Sequence, residues 1–180
     1  LPILVANDGR LLPQTYQGGQ ITSKDFKDLT LTGGILNQVT GRASTDRTGM
    51  AVAGSAESSS KFTYAGADYN VTKDLKAQYY FANLDDFYDQ HFVGLVHVLP
   101  LSDNSSLTTD LRYFNTQSSG KNGSASGRGE GYRIGGYTKD SSGEIDNNTW
   151  SLFSTYALGG HAFTLGYQSV SEDSNFTQLN

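Results

Sequence analysis

Tight turns and long polar loops alternate along this 180-residue chain, joining about eight strand-like segments in which apolar residues recur every second position. Period two describes a β-strand with one apolar face. Connections that alternate in length describe strands running up and down, with all the tight turns at one end. Greek-key sandwiches do not give such regular alternation, so the rhythm predicts an antiparallel meander.

The clearest segment is Leu107-Thr108-Thr109-Asp110-Leu111-Arg112-Tyr113, with Leu107, Leu111 and Tyr113 on one face and Asp110 and Arg112 on the other. Leu75, Ala77, Tyr79 and Phe81 likewise share a face, opposite Lys76 and Gln78. Trp150, Leu152, Ser154, Tyr156 and Leu158 alternate up to a Gly159-Gly160 turn, and Phe163, Leu165 and Tyr167 alternate on the return. Earlier, a strand from Thr15 to Ser23 turns through Lys24 to Asp28 into Leu29-Thr30-Leu31-Thr32, and an extended run from Phe62 to Val71 turns at Thr72-Lys73-Asp74. The segment from His91 to Leu99 is apolar on both faces, so period alone does not assign its inward side; the turn after it is read at Pro100 to Asn104. Residues 41–60 read as a long loop rich in Gly, Ser, Thr and Ala with little to bury, residues 116–147 as a long Gly/Ser-rich loop whose length implies a role, and residues 83–88 as a medium loop. The whole reads as a single domain.

Composition supports strands and excludes several classes. The chain holds 21 Gly, 11 Tyr and 9 Phe against one Met and no Cys, a balance that favours turns and aromatic-rich strands. Without cysteine there is no disulfide framework and no thiolate metal site. A mean hydropathy of -0.44 leaves no apolar run long enough for a membrane-crossing helix. Net charge -5 and a pI near 5.0 exclude a nucleic-acid surface. Aromatic residues Tyr79, Phe81, Tyr113, Trp150, Tyr156, Phe163 and Tyr167 lie toward strand ends, where interfacial girdles of an outer-membrane barrel sit. The expected fold is therefore an all-β, transmembrane, antiparallel up-and-down barrel in the outer membrane of a Gram-negative bacterium. A soluble β-sandwich adhesion module is the alternative, and detergent dependence separates the two. The opening Leu1-Pro2-Ile3-Leu4-Val5 shows no leader pattern and the last six residues no closing strand, so the chain reads as an internal part of a barrel.

On that fold Lys76 and Arg112 face the lumen by period. Asp110 and Asp68 share the lumen face, where pairing within the wall is the expected role of Arg112. No catalytic, metal or cofactor site is expected. His91, His97 and His161 lack the spacing of a zinc site, and the glycines of residues 127–131 lack the strand-to-helix setting of a phosphate cradle. Asp85, Asp86 and Asp89 read as a solvated loop face. A barrel enzyme or receptor would need a nucleophile or activated water in a constellation that the sequence does not bring together.

Several motifs, in order, carry a resemblance. They are Arg10-Leu11-Leu12-Pro13-Gln14-Thr15, preceded by Asn7-Asp8-Gly9; Leu29-Thr30-Leu31; Asn83-Leu84-Asp85-Asp86; and Asn148-Thr149-Trp150-Ser151-Leu152 followed by the residues from His161 to Gln168. With these the chain resembles the OprD-type porins, outer-membrane carboxylate channels of pseudomonads. The resemblance implies an eighteen-stranded barrel about twice this chain's length. It further implies that residues 1–14 belong to an inward-folded constriction loop, that 41–60 and 116–147 are long extracellular loops, and that 171–180 start a further loop. Arg10 and Asp8 match the constriction, and Asp173 with Ser171 begins the loop that would face Arg10 across the pore. An arginine suits a carboxylate because its planar fork stays charged at any working pH. The implied function is passive uptake of small carboxylates such as aromatic acids or amino acids, with no cofactor. Lipid and lipopolysaccharide are the implied surroundings, no nucleic acid is a partner, and a weak homotrimer is a family-level implication.

Overall fold

The computed structural model describes residues 1–4, 13–177 and 179. Among these residues nine strands form one antiparallel sheet: β1 (Thr15–Phe26), β2 (Leu29–Thr40), β3 (Arg47–Thr48), β4 (Phe62–Asn70), β5 (Leu75–Leu84), β6 (Tyr88–Ser102), β7 (Ser105–Ser118), β8 (Asp146–Leu158) and β9 (His161–Val170). Their order is β1-β2-β4-β5-β6-β7-β8-β9, with the two-residue β3 attached to β2. Apart from β3, each strand pairs with the next along the chain, which is the up-and-down meander that the loop rhythm predicts. The one described helix is a single turn, α1 (Ala125–Gly129), capped by the Ser124 hydroxyl accepting from the Gly127 amide.

The strands are longer than periodicity alone suggests. β1 continues through a register shift to Phe26, so the turn is shorter than Lys24 to Asp28. Residues 83–88 are not a medium loop: Asn83 and Leu84 pair with Asp89 and Tyr88, leaving a tight turn at 85–87 with Asp86 at φ 67°. Pro100 lies inside β6, near its end, where the strand's pairing with β5 has stopped at His97; the Val98 amide two residues earlier points to that side, so the proline's missing N–H falls on an unpaired edge.

Register settles which side chains share a face. One row across the sheet runs Leu31, Ala67, Tyr79, Val93, Tyr113, Trp150. The next runs Thr32, Gly66, Tyr80, Phe92, Phe114, Thr149. The first kind of row forms an exposed apolar face, with Leu111, Leu152 and Leu165 in neighbouring positions. In water such a continuous patch would be costly; against lipid it is the stable arrangement. Aromatic side chains recur across it. Tyr79, Tyr113 and Trp150 share one row and Tyr69 and Tyr167 the next on that face, with Trp150 and Tyr167 rings 5.3 Å apart, while Tyr156 pairs with Phe163 nearer the tight turn.

The opposite face holds the core, concentrated at the long-loop end. Phe62, Tyr80, Leu84, Tyr88 and Phe92 are fully or almost fully buried there. Loop residues cover them: Met50 and Val52 are buried in the same cluster, which corrects the expectation that residues 41–60 have little to bury, and Ile134 and Ile145 join them from the loop between β7 and β8. The two loops also bond to each other, since the Ala56 amide and the Ser55 hydroxyl both donate to the Gly131 carbonyl, at 3.1 and 2.9 Å. Phe176 packs edge-on against Phe114 at 5.3 Å, and Asn147 donates to the Ser174 carbonyl at 2.6 Å, so the segment after β9 lies across the same face.

Candidate functional site

Below the loop-covered core, toward the tight turns, the inner face carries a polar wall. Asp68 on β4 stands directly opposite Gln78 on β5, and Lys76 and Tyr80 flank Gln78 on the same face. That placement makes the Asp68 carboxylate a common acceptor. Lys76 Nζ approaches it at 2.9 Å, and the Gln78 amide and Tyr80 hydroxyl both donate to it. The Tyr80 ring fits because Gly66 lies opposite; a Cβ there would overlap the ring. A similar exchange lets the Tyr64 hydroxyl donate to Gln20 at 2.8 Å, over the bare Cα of Gly34.

On β7, Asp110 and Arg112 share the face by period, and the guanidinium forms a fork onto the carboxylate, Nε to Oδ1 at 3.0 Å and Nη2 to Oδ2 at 2.8 Å. The lumen-facing positions expected for Asp68, Lys76, Asp110 and Arg112 are thus occupied as two ion pairs. Each cation is about half exposed, 44% for Lys76 and 51% for Arg112, whereas the acids lie lower, at 22% and 24%. The cationic tips are the more exposed ends of these pairs, and the adjoining carboxylates largely cancel their field.

Asp8 and Arg10 lie outside the described residues. Ser171 extends the ladder beside β8: its amide donates to the Asn148 carbonyl at 2.8 Å, and its hydroxyl accepts from the Asn148 amide at 3.0 Å. Asp173 pairs with Lys139, Nζ to Oδ1 3.7 Å, and its carbonyl accepts from the Lys139 amide at 2.9 Å. Lys139, Asp140, Ser142, Glu144, Asp146 and Asp173 line a polar hollow of about 310 Å³. Within it, hydrogen bonds from Ser142 hold the Asp140 carboxyl below the usual carboxylate range.

The long loop between β7 and β8 is held by a residue that sequence reasoning passed over. Asn122 is fully buried; its amide donates to the Tyr132 and Gly143 carbonyls at 2.7 and 3.0 Å, and its oxygen accepts from the Ile145 amide at 2.9 Å. Arg128 adds an ion pair to Glu144 at 3.0 Å and a bond to the Asn122 carbonyl. Lys121 sits 4.5 Å over the Tyr132 ring, and its bond to the Tyr132 hydroxyl raises its pKa. The glycine-rich 127–131 stretch is no cradle but the end of α1, which has a single turn. Among the described residues no group of three or more His, Asp or Glu could hold a metal ion. His91 accepts or donates at 2.8 Å with the Tyr79 hydroxyl on the apolar face, beside the Phe81 ring. Asp89 takes a bond from Asn83, and Asp86 forms the turn.

Comparison with known proteins gives this architecture a family. A family model described as outer membrane porin, OprD family, matches residues 1–180. Porin D of Pseudomonas aeruginosa is 31% identical over 179 residues, which cover 99% of this chain and 36% of that protein. The crystal structure of Pseudomonas aeruginosa OccK8 (OprE) superposes with a TM-score of 0.92 at 49% identity, over 100% of this chain and 47% of that one. That of Pseudomonas aeruginosa OpdK with vanillate gives 0.84 at 29% identity, over 99% of this chain and 43% of that one. The chain therefore spans less than half the length of these relatives.

Proposed function

Because this chain belongs to the OprD family of outer membrane porins, proteins of the Gram-negative outer membrane, we propose that it forms part of the wall and constriction of a channel for passive diffusion of small carboxylate-bearing solutes. The observation that carries the reading is the division of one sheet into an apolar exposed face and an inner face of hydroxyl, amide and paired ionic side chains, with loops folded over it. Apolar residues toward lipid and polar residues toward a water-filled lumen are what a conducting barrel needs. Loops packed on the inner face narrow the path, and a narrow path lets fixed charges replace part of a solute's hydration without trapping it.

In this reading Arg10 and Asp8 sit at the constriction, Arg10 as the carboxylate fork, with Ser171 and Asp173 on the opposing side and Lys139 beside Asp173. One relative was solved with vanillate, an aromatic carboxylate, which favours that solute class for this chain as well. Passage needs no cofactor or energy source. The apolar face contacts outer-membrane lipid and lipopolysaccharide.

Single-channel recording of the full-length porin in a planar bilayer tests the proposal, comparing it with Arg10→Ala in the presence and absence of vanillate. The expected result is a small conductance blocked by vanillate, with block weakened in the variant. A protein that inserts but passes no current sinks the channel reading, and block of equal strength in both proteins places the carboxylate site away from Arg10.

A further inference from the structure

The wall charges form a pattern with a consequence for selectivity. At the inward positions of β2 and of β4 to β9, the charged side chains among the described residues are two acids and two bases. One cross-sheet row runs Asp68, Gln78, Gly94, Arg112. The adjacent row runs Asn70, Lys76, Val96, Asp110. Acid and base therefore stand on both sides of a floor formed by Gly94 and Val96, and their order is reversed between the two rows. At a strand spacing of about 4.8 Å, Asp68 and Arg112 originate about 14 Å apart, three strands over. Gly94 keeps the floor low, since a Cβ there would press on the Phe92 ring at 2.9 Å and the Gln78 amide oxygen at 3.0 Å.

From this geometry we infer that the Asp68, Lys76, Asp110 and Arg112 quadruple is a transit subsite for zwitterionic solutes, amino acids in chemical class, and that Asp68 and Asp110 determine its selectivity against net anions. The inference rests on the channel reading proposed above and narrows its solute class. A bare lysine and arginine on a wall attract any carboxylate. Held by their acids, the same cations present local dipoles with no net charge, and a solute is favoured when it can offer a carboxylate to a base and an ammonium to the neighbouring acid. Arg112 uses its Nε–H and one Nη2–H on Asp110, which leaves guanidinium N–H groups for a passing carboxylate. Asp68 differs: three donors already occupy its carboxylate, so its part is to neutralise Lys76.

Flux of labelled L-serine and benzoate into liposomes carrying the full-length porin provides the test, with Asp68→Asn, Asp110→Asn, the double variant and the charge-free Lys76→Gln/Arg112→Gln/Asp68→Asn/Asp110→Asn variant. Unmasking each cation should raise the benzoate-to-serine flux ratio about threefold at 0.1 M salt, the effect of about one RT of local potential. The two effects should multiply in the double variant, because the sites lie far enough apart to act independently, and the charge-free variant should lose the increase. Ionic conductance measured on the same liposomes separates the two claims. Absence of current in the parent would end the channel reading. Normal current with a flux ratio that ignores Asp110→Asn, the more exposed and structurally simpler change, would overturn the subsite while leaving the channel intact.

Discussion

Replacing Asn122 by alanine should release the long loop between β7 and β8 from the inner face without unfolding the strands. The side chain is fully buried and makes three hydrogen bonds to the loop's own backbone, at Tyr132, Gly143 and Ile145. Alanine leaves two carbonyls and one amide without that partner. A buried group left unpaired costs about 1–3 kcal/mol. With water reaching part of the site, the three together come to roughly 3–5 kcal/mol. Each 1.4 kcal/mol is a factor of ten, so local opening should become roughly a hundredfold to several thousandfold more frequent. Hydrogen exchange read by mass spectrometry on the protein in lipid nanodiscs reports this directly: peptides covering residues 119–145 should lose protection by that factor, while peptides from β5 to β7 keep theirs. If loop protection changed by less than about threefold, the claim that Asn122 organises the loop would be refuted, since the expected cost far exceeds that.

Neighbouring residues on β8 should respond oppositely to one substitution. Leu152→Arg places a charge on the exposed apolar face and should cost about 2–4 kcal/mol of folding stability in lipid vesicles, whereas Ser151→Arg, facing the other way, should fold close to normally. Gly66→Val must displace the Tyr80 ring and should destabilise by about 1–3 kcal/mol in urea titrations in vesicles. Tyr80→Phe should cost only about 1 kcal/mol by the same assay, because the ring stays and one donor to Asp68 is lost. Since Ser142 holds the Asp140 carboxyl below the usual carboxylate range, its contribution to that turn is fully present above that range and is lost as pH falls through the lowered value. A carboxyl NMR titration should place the Asp140 midpoint below that of an unfolded peptide, and Ser142→Ala should raise it.

Much of the wall was legible because period two reports directly on a sheet with one face in lipid. Leu107 to Tyr113, Leu75 to Phe81 and Trp150 to Tyr167 all lie as their alternation requires. β6 resisted because both its faces are apolar for different reasons: Val93 and Leu95 face out among exposed residues, while Phe92 faces in, buried beneath the loops. The same cause blurred the strand ends, where Leu84 and Tyr88 belong to the covered core and break the polar side of the pattern. The Asp110 and Arg112 pair was readable from spacing alone, since residues two apart on a strand share a face. The three donors on Asp68 depend on the β4 to β5 register, which no single segment reveals. The loops were least legible: a few apolar side chains, Met50, Val52, Ile134 and Ile145, and one buried asparagine organise long stretches of Gly and Ser. Asn122 stands in an Asn-Gly-Ser triplet that looks like ordinary loop sequence.

These 180 residues contain no cysteine, so a single cysteine placed on either face meets no competing thiol from this chain, and any cysteine elsewhere in the full-length porin is first replaced by serine. The most direct test of the account is to compare Ser151→Cys with Leu152→Cys in the full-length porin reconstituted into lipid vesicles, measuring reaction with a small charged thiol reagent and quenching of an attached fluorophore by nitroxide-labelled lipid chains. The account predicts rapid reaction and no lipid quenching at 151, and slow reaction with strong lipid quenching at 152. Equal reactivity at both positions without lipid quenching would contradict a lipid-facing sheet around an aqueous lumen.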